Sequence, residues 1–307
     1  MQRIGSLARS VLVITVAVAV KMASVYADIV VGSGGYSTVQ DAINNNTGGT
    51  IIITESPHFE SGFTVTNPFS IRSGLSGARV EFGITSGSII IDSDNCTIDN
   101  INFYQHTTAP AIEFNASTYR PTIRNCAVVA VSNDVTWLGI IDWGSNVPII
   151  SEVTFLNQAF GIYSKGDGTY LQFCWMVNSL GNLHWDGYFS QGGNYSTETT
   201  YFEVTNSSAQ QNVNITALGG EQLGFNSIGA WYENDGTLSN GSNINFNNRY
   251  VSLYELTFKN NYFKVCPQRA FFGDNNLSTP YCSECDADDV KDILRPLNSF
   301  SDDCPNF

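Results

Sequence analysis

Thr97-Ile98-Asp99-Asn100-Ile101-Asn102-Phe103 returns three times at close range, as Thr122-Ile123-Arg124-Asn125-Cys126-Ala127-Val128, Ile149-Ile150-Ser151-Glu152-Val153-Thr154-Phe155 and Tyr170-Leu171-Gln172-Phe173-Cys174-Trp175-Met176. A later copy reads Ser252-Leu253-Tyr254-Glu255-Leu256-Thr257-Phe258. The second, fifth and seventh positions are apolar and the third and sixth mostly polar, the pattern of a strand with one bend that keeps one face buried. A second apolar ladder precedes the copies at Ile89, Ile112, Ile140, Ile162 and Leu183, with steps of 23, 28, 22 and 21 residues. Two strands in each such step describe one coil of a parallel β-solenoid. Helical solenoids of similar period are excluded by Gly, Asn and Thr throughout and by segments too short for paired helices.

The stack needs a cover over its open N-terminal end. Gly35-Tyr36-Ser37-Thr38-Val39-Gln40-Asp41-Ala42-Ile43 supplies one, with Ser37 and Gln40 spaced as a capping box and Val39, Ala42 and Ile43 on one helical stripe. This opening, with the repeats, resembles the pectin-lyase-like superfamily of right-handed parallel β-helices, notably the openings of pectin methylesterases and phage tailspikes. The resemblance covers roughly residues 28–190 and, more loosely, 225–265. It implies a right-handed β-helix and is unspecific for function; an extracellular polysaccharide is the partner expected of such a chain. The catalytic signatures of the superfamily are absent. The chain lacks the Gln-Asp-Thr-Leu, Asp-Phe-Ile-Phe-Gly and Arg-Pro-Trp elements of pectin methylesterases and the Gly-His-Gly and Arg-Ile-Lys elements of polygalacturonases, and no motif marks the calcium aspartates and arginine base of pectate lyases.

Arg3 and Arg9 precede the apolar run from Val11 to Val20, which gives way to Lys21-Met22-Ala23-Ser24-Val25-Tyr26-Ala27. That is the layout of a secretory signal peptide over residues 1–27, and it predicts a secreted, extracellular product beginning at Asp28. The alternative is an uncleaved anchor. Loss of Arg3, Arg9 and Lys21 with the leader takes the formal net charge from −14 to −17. Nucleic acid is an improbable partner for such a chain, and a neutral glycan or a cationic partner is easier to accept than a polyanion unless calcium bridges the two.

The remaining sequence divides into a β-helix domain over 28–265, with a loop insertion expected at 193–224, and a Cys-rich C-terminal cap over 266–307. Cys266, Cys282, Cys285 and Cys304 are expected to form two disulfides in the cap, with three connectivities open; a zinc site at Cys282 and Cys285 is the disfavoured alternative. Cys126 and Cys174 fall on the inward fifth position two coils apart, nearly 10 Å, so both are expected as buried free thiols. Sequons predict glycosylation at Asn45, Asn115, Asn194, Asn206, Asn214, Asn240 and Asn276, whereas the sequon at Asn95 is expected to be buried and unused. Clustering of four from Asn194 to Asn240 marks that stretch as exposed loop. No cofactor is implied; calcium is the one admitted, on the four aspartates from Asp286 to Asp292, whose spacing matches no hand motif.

A solenoid binds along a lateral surface built from successive rungs, so the outward positions of the first ladder are where a site is sought. They are Ile90, Glu113, Ile141, Tyr163 and His184, with Asp142, Trp143, Lys165, Asp167, Trp185 and Asp186 at adjoining turns. Glu113, His184 and Asp186 are the catalytic candidates, with Glu113 or Asp186 as acid and His184 or Lys165 as base; Asp142, Trp143, Tyr163 and Lys165 are the ligand-binding candidates, with Trp143 or Tyr163 as a sugar platform. Two functions are consistent with these residues. One is a secreted protein that binds, and in the stronger form cleaves, polysaccharide. The other is a non-catalytic structural or adhesive glycoprotein of a cell surface, matrix or virion.

Overall fold

The computed structural model describes residues 28–132, 137–165, 169–178, 181–187, 193–198, 200–204, 211–217, 222–234, 242–246, 252–264, 269–273, 292 and 295–301. They wind into a right-handed-type parallel β-solenoid whose three sheets hold ten, nine and ten strands. Each coil contributes a strand to each sheet in turn. The first sheet carries Thr97–Asp99 and its equivalents, the second Ile101–Gln105, and the third Ile112–Phe114.

The bend inside the heptapeptide is therefore a corner between two sheets. Its fourth residue takes a left-handed backbone conformation, with φ of 60° at Asn100, 51° at Asn125, 55° at Glu152 and 52° at Phe173. Asn tolerates this conformation because its short amide bonds locally, and here Asn125 Nδ2 donates to Asn100 Oδ1 at 3.3 Å. The corner N–H groups of Asn100, Asn125 and Glu152 each donate to a carbonyl of the next coil, at Arg124, Ser151 and Gln172. Stacking thus satisfies the turn and lets Glu152 occupy it without an amide side chain.

Apolar positions align as columns. Ile71, Ile98, Ile123, Ile150 and Leu171 pair in succession in the first sheet, and Phe82, Phe103, Val128, Phe155 and Met176 in the second. In the third, Ile89, Ile112, Ile140, Ile162 and Leu183 pair rung by rung, and Val213, Ile244 and Phe271 continue them. All but Phe271, whose side chain lies outside the described residues, are buried in one continuous core.

Several expectations change at the ends of the stack. Val39–Asn44 forms the capping helix with Val39, Ala42 and Ile43 buried, but its N-cap is Thr38, whose hydroxyl accepts from Asp41 N at 3.0 Å. Ser37 sits one residue too early and donates to the Asp41 carboxylate instead. Gln40 does not close the box: its amide accepts from Thr64 N, while the N–H groups of Val39 and Gln40 go to the buried carboxylate of Glu60 at 2.8 and 3.0 Å. The interval 193–224, read as a loop insertion, supplies the strands Gly193–Glu198, Tyr201–Val204 and Gln211–Ala217 and the start of Gln222–Ile228, which continue all three sheets. The Thr, Ser, Asn and Gln residues that crowd this interval hide the apolar rhythm. The later heptapeptide also shifts, to Thr257–Phe263: Asn260 takes the corner at φ 56°, and the inward fifth position is Asn261. That buried amide accepts from Ala230 N at 2.8 Å and donates to Asn298 Oδ1 at 3.0 Å, so a polar residue replaces the aliphatic one on which the reading relied. Coil strands also extend beyond residue 265, at Arg269–Gly273 and Ser299–Ser301.

Cys126 and Cys174 are buried free thiols, as is Cys96. Burial pushes Cys126 up to about 12 and Cys174 up to about 11, so neither is a nucleophile near neutral pH. Asn95 is exposed in a left-handed turn at φ 55°, contrary to the buried position expected of it, and Asn45 is exposed as well. Asn115 is half-buried, and Asn194 and Asn214 lie within strands. Residues 1–27, Asn206, Asn240, Asn276, Cys266, Cys282, Cys285, Cys304 and all but Asp292 of the aspartate group lie outside the described residues.

Two substitutions test this architecture. Ile123→Asp places an unpaired carboxylate in the core column and is expected to abolish cooperative unfolding, whereas Arg124→Ala removes only an exposed ion pair with Asp99 and is expected to cost under about 1 kcal/mol in urea denaturation. Phe173 is 52% exposed at a left-handed corner. Replacing it with Asn is expected to raise stability by about 1 kcal/mol, and a lower melting temperature would contradict the corner assignment.

Candidate functional site

The outer face of the third sheet is assembled from three successive strands. Glu113 lies on Ile112–Phe114, Ile141 on Leu138–Asp142 and Tyr163 on Phe160–Ser164, in one lateral row with Ile90 below and His184 above. Alternation puts these residues outward because their neighbours Ile112, Ile140 and Ile162 are fully buried. Trp143 leaves the edge of the row through a turn made by Asp142. The Asp142 carboxylate accepts from Gly144 N at 3.1 Å and Ser145 N at 2.7 Å, and Gly144 takes φ 116°, a conformation suited to glycine.

Trp143 is 41% exposed, and its indole N–H donates to Glu113 Oε2 at 2.8 Å. Lys165 Nζ lies 4.9 Å from the centre of the Trp143 ring and 5.7 Å from that of Tyr163. Four predicted residues, Glu113, Trp143, Tyr163 and Lys165, therefore meet at one patch. A carboxylate and an ammonium stand beside two aromatic rings, an arrangement that offers hydroxyl acceptors and donors next to an apolar surface.

Asp142 does not join them. It is 1% exposed, and its second carboxylate oxygen accepts from Ser164 Oγ at 2.9 Å. The residue expected to bind ligand therefore holds the turn instead. Burial pushes its carboxyl above the usual range, and the hydrogen bonds from Ser145, Ser164 and Gly144 oppose that shift. His184 pairs in register with Tyr163 and Asp186 with Thr216, so both belong to the next strand, Gly181–Gly187; their side chains, and Asp167, lie outside the described residues.

A second outward row escaped the sequence reading. On the second sheet the sixth heptapeptide position runs Thr154, Trp175, Tyr201, Trp231, Tyr262, Ser299 in register. Trp175 is 51% and Trp231 43% exposed, and the rings of Trp231 and Tyr262 pack with centroids 3.9 Å apart and planes tilted by 30°. The signal in the sequence is Trp175, the sixth residue of the fourth copy, and its partners lie in coils without a clear apolar rhythm. Stacking presses the faces of Trp231 and Tyr262 together, so this part of the row staples coils.

No protein-family model matches the chain, and neither a curated protein nor a solved structure gives a significant match.

The Asp142 assignment carries a pH dependence. A carboxyl raised in the folded state contributes most favourably below its unfolded value, near 3.8, and that contribution is lost as pH rises through the raised value. Asn in its place keeps an acceptor for the turn and a donor for Ser164 without the buried charge. Asp142→Asn is thus expected to melt at or above the parent at pH 7, with the difference shrinking towards pH 4. An advantage that grows in acid would contradict a buried, desolvated carboxyl.

Proposed function

We propose that this chain is a secreted β-helix glycoprotein of pectin-lyase-like type that holds an extracellular neutral polysaccharide on the outer face of its third sheet without cleaving it. The observation that carries this reading is the Trp143 indole bridged to Glu113 at 2.8 Å with the Lys165 ammonium above its ring. A pyranose presents one face of C–H groups and a rim of hydroxyls. The aromatic surface matches the first, and the flanking charges match the second. A formal net charge of −14 disfavours acidic polysaccharide.

Spacing supports holding over hydrolysis. Glu113 lies three strands from the strand of His184 and Asp186, about 14 Å at ~4.8 Å per rung. Paired glycosidase carboxylates stand roughly 5–9.5 Å apart on either side of one bond. Glu113 is also already committed to the Trp143 N–H. The structural or adhesive reading draws on the same spacing and on the stacked row of the second sheet, which stiffens a rod.

The full secreted chain is expected to bind neutral oligosaccharides on a glycan array while releasing neither new reducing ends nor unsaturated products. Trp143→Ala should weaken binding about tenfold, equivalent to ~1.4 kcal/mol, with an unchanged melting temperature. Turnover that disappears on Glu113→Gln would replace holding with catalysis. Silence across the array would leave the structural reading in its place.

A further inference from the structure

A cleft of about 210 Å³ lies on the outer face of the second sheet, near its N-terminal end, whereas the patch lies on the third. It is lined by Pro57, Phe59, Glu81, Gly83, Tyr104 and His106. Three strands build it. Phe59, Gly83 and Tyr104 pair in register on His58–Glu60, Val80–Ile84 and Ile101–Gln105, while the alternate residues His58, Phe82 and Phe103 point into the core. Glu81 precedes Gly83 by two residues on the same face, and His106 follows Tyr104 by two.

Gly83 is what lets the aromatic wall form. A Cβ at this position would lie 2.3 Å from Phe59 Cδ1, so only glycine allows the Phe59 ring to lie across the neighbouring strand. Phe59 nevertheless remains 61% exposed, an unusual position for a ring placed this closely against backbone. Its centroid is 6.1 Å from the imidazole of His106.

The polar groups around this wall are uncommitted. Among the described residues the Glu81 carboxylate, the Tyr104 hydroxyl and the His106 imidazole make no hydrogen bond or ion pair. The nearest guanidinium in sequence, that of Arg79, is turned along the stack, donating to Asn102 Oδ1 at 3.3 Å and Asn125 Oδ1 at 2.8 Å. A carboxylate without a counter-ion thus stands at a concavity walled by three aromatic rings.

We propose that this cleft binds the ammonium group of a small ligand, such as a choline-type headgroup or a protonated amino sugar. Ring quadrupoles attract a cation over their faces, the carboxylate adds a directional charge, and the negative chain raises the local concentration of cations. A hard metal ion is a poor occupant, because it takes six or more oxygens and the lining offers one carboxylate and one phenol. The cleft is smaller than the usual pocket for a whole organic ligand, so it takes the headgroup and leaves the remainder in solvent.

Titration calorimetry of the full secreted chain at low salt tests this, with choline chloride and its uncharged isostere 3,3-dimethylbutan-1-ol as probes and a glucosamine oligomer as a third. Choline, the glucosamine oligomer or both are expected to bind saturably, and the isostere about tenfold more weakly than choline. Glu81→Gln should bring the choline-to-isostere ratio close to one. Phe59→Ala should weaken both while leaving the melting temperature unchanged, because Phe59 packs outside the core. Binding confined to the glucosamine oligomer identifies an amino sugar as the source of the ammonium, and choline binding a headgroup. Repeating the titration with Trp143→Ala separates this cleft from the glycan patch: retained choline binding is expected there whether or not the patch binds glycan. Choline binding no tighter than that of its isostere, indifference of whichever cation binds to Glu81→Gln, or no binding of either cation would overturn the proposal.

Discussion

The strand residues of successive coils in this solenoid pair in parallel register, about 4.8 Å apart, and that stacking constrains everything else. A strand can join the stack only if its inward residues meet the column already there. Ile123 therefore sits on Ile98 and beneath Ile150, each on the same face of the same sheet. Closing each coil then requires a corner, and a left-handed residue makes the corner between the first and second sheets tight. Backbone bonds to the next coil hold that corner at Asn100, Asn125 and Glu152, so it forms with or without an amide side chain.

The same stacking admits polar groups to the interior when the coil above or below supplies a partner. Glu60 is buried, yet its carboxylate takes the two leading N–H groups of the capping helix and a contact from His58 Nε2 at 3.1 Å. Asp142 is paired to Ser164 one rung on. In the last coils, Ser227, Asn261 and Asn298 form a column of hydroxyl and amide groups bonded to one another and to main chain, with the Tyr232 hydroxyl 2.7 Å from Ser227 Oγ. Each would be costly alone and is tolerated because its bonds run between coils.

On the outside, stacking turns single residues into rows. Where a row mixes charge and aromatic groups, as Glu113, Trp143, Tyr163 and Lys165 do, side chains from neighbouring rungs reach one another and make a patch. Where aromatic residues follow one another, as Trp231 and Tyr262 do, the rings bind each other first. Where a glycine interrupts the row, as Gly83 does, the neighbouring ring covers the gap and a concavity opens beside it. Three chemically different surfaces thus arise from one repeating geometry. The rung spacing also separates Glu113 from the strand of His184 and Asp186 by three steps.

The parallel solenoid, its coil length, the recurring apolar positions and the buried thiols at Cys126 and Cys174 were legible in the sequence, because burial recurs at a fixed place in each coil; the two strands expected in each coil are three, because the bend of the heptapeptide is a corner between sheets. The row of Glu113 and Tyr163, with His184 in register, followed from the same periodicity. Legibility failed where a partner lies a coil away. Nothing near Thr38 announces that Glu60 will take the helix N–H groups, nothing near Asn261 that Asn298 will satisfy its amide, and nothing near Asp142 that Ser164 will draw its carboxylate inward. Periodic burial is a local property of the chain and can be read from it; the pairing of polar groups and the approach of Phe59 to Gly83 depend on which strands become neighbours, and only the closed coils decide that.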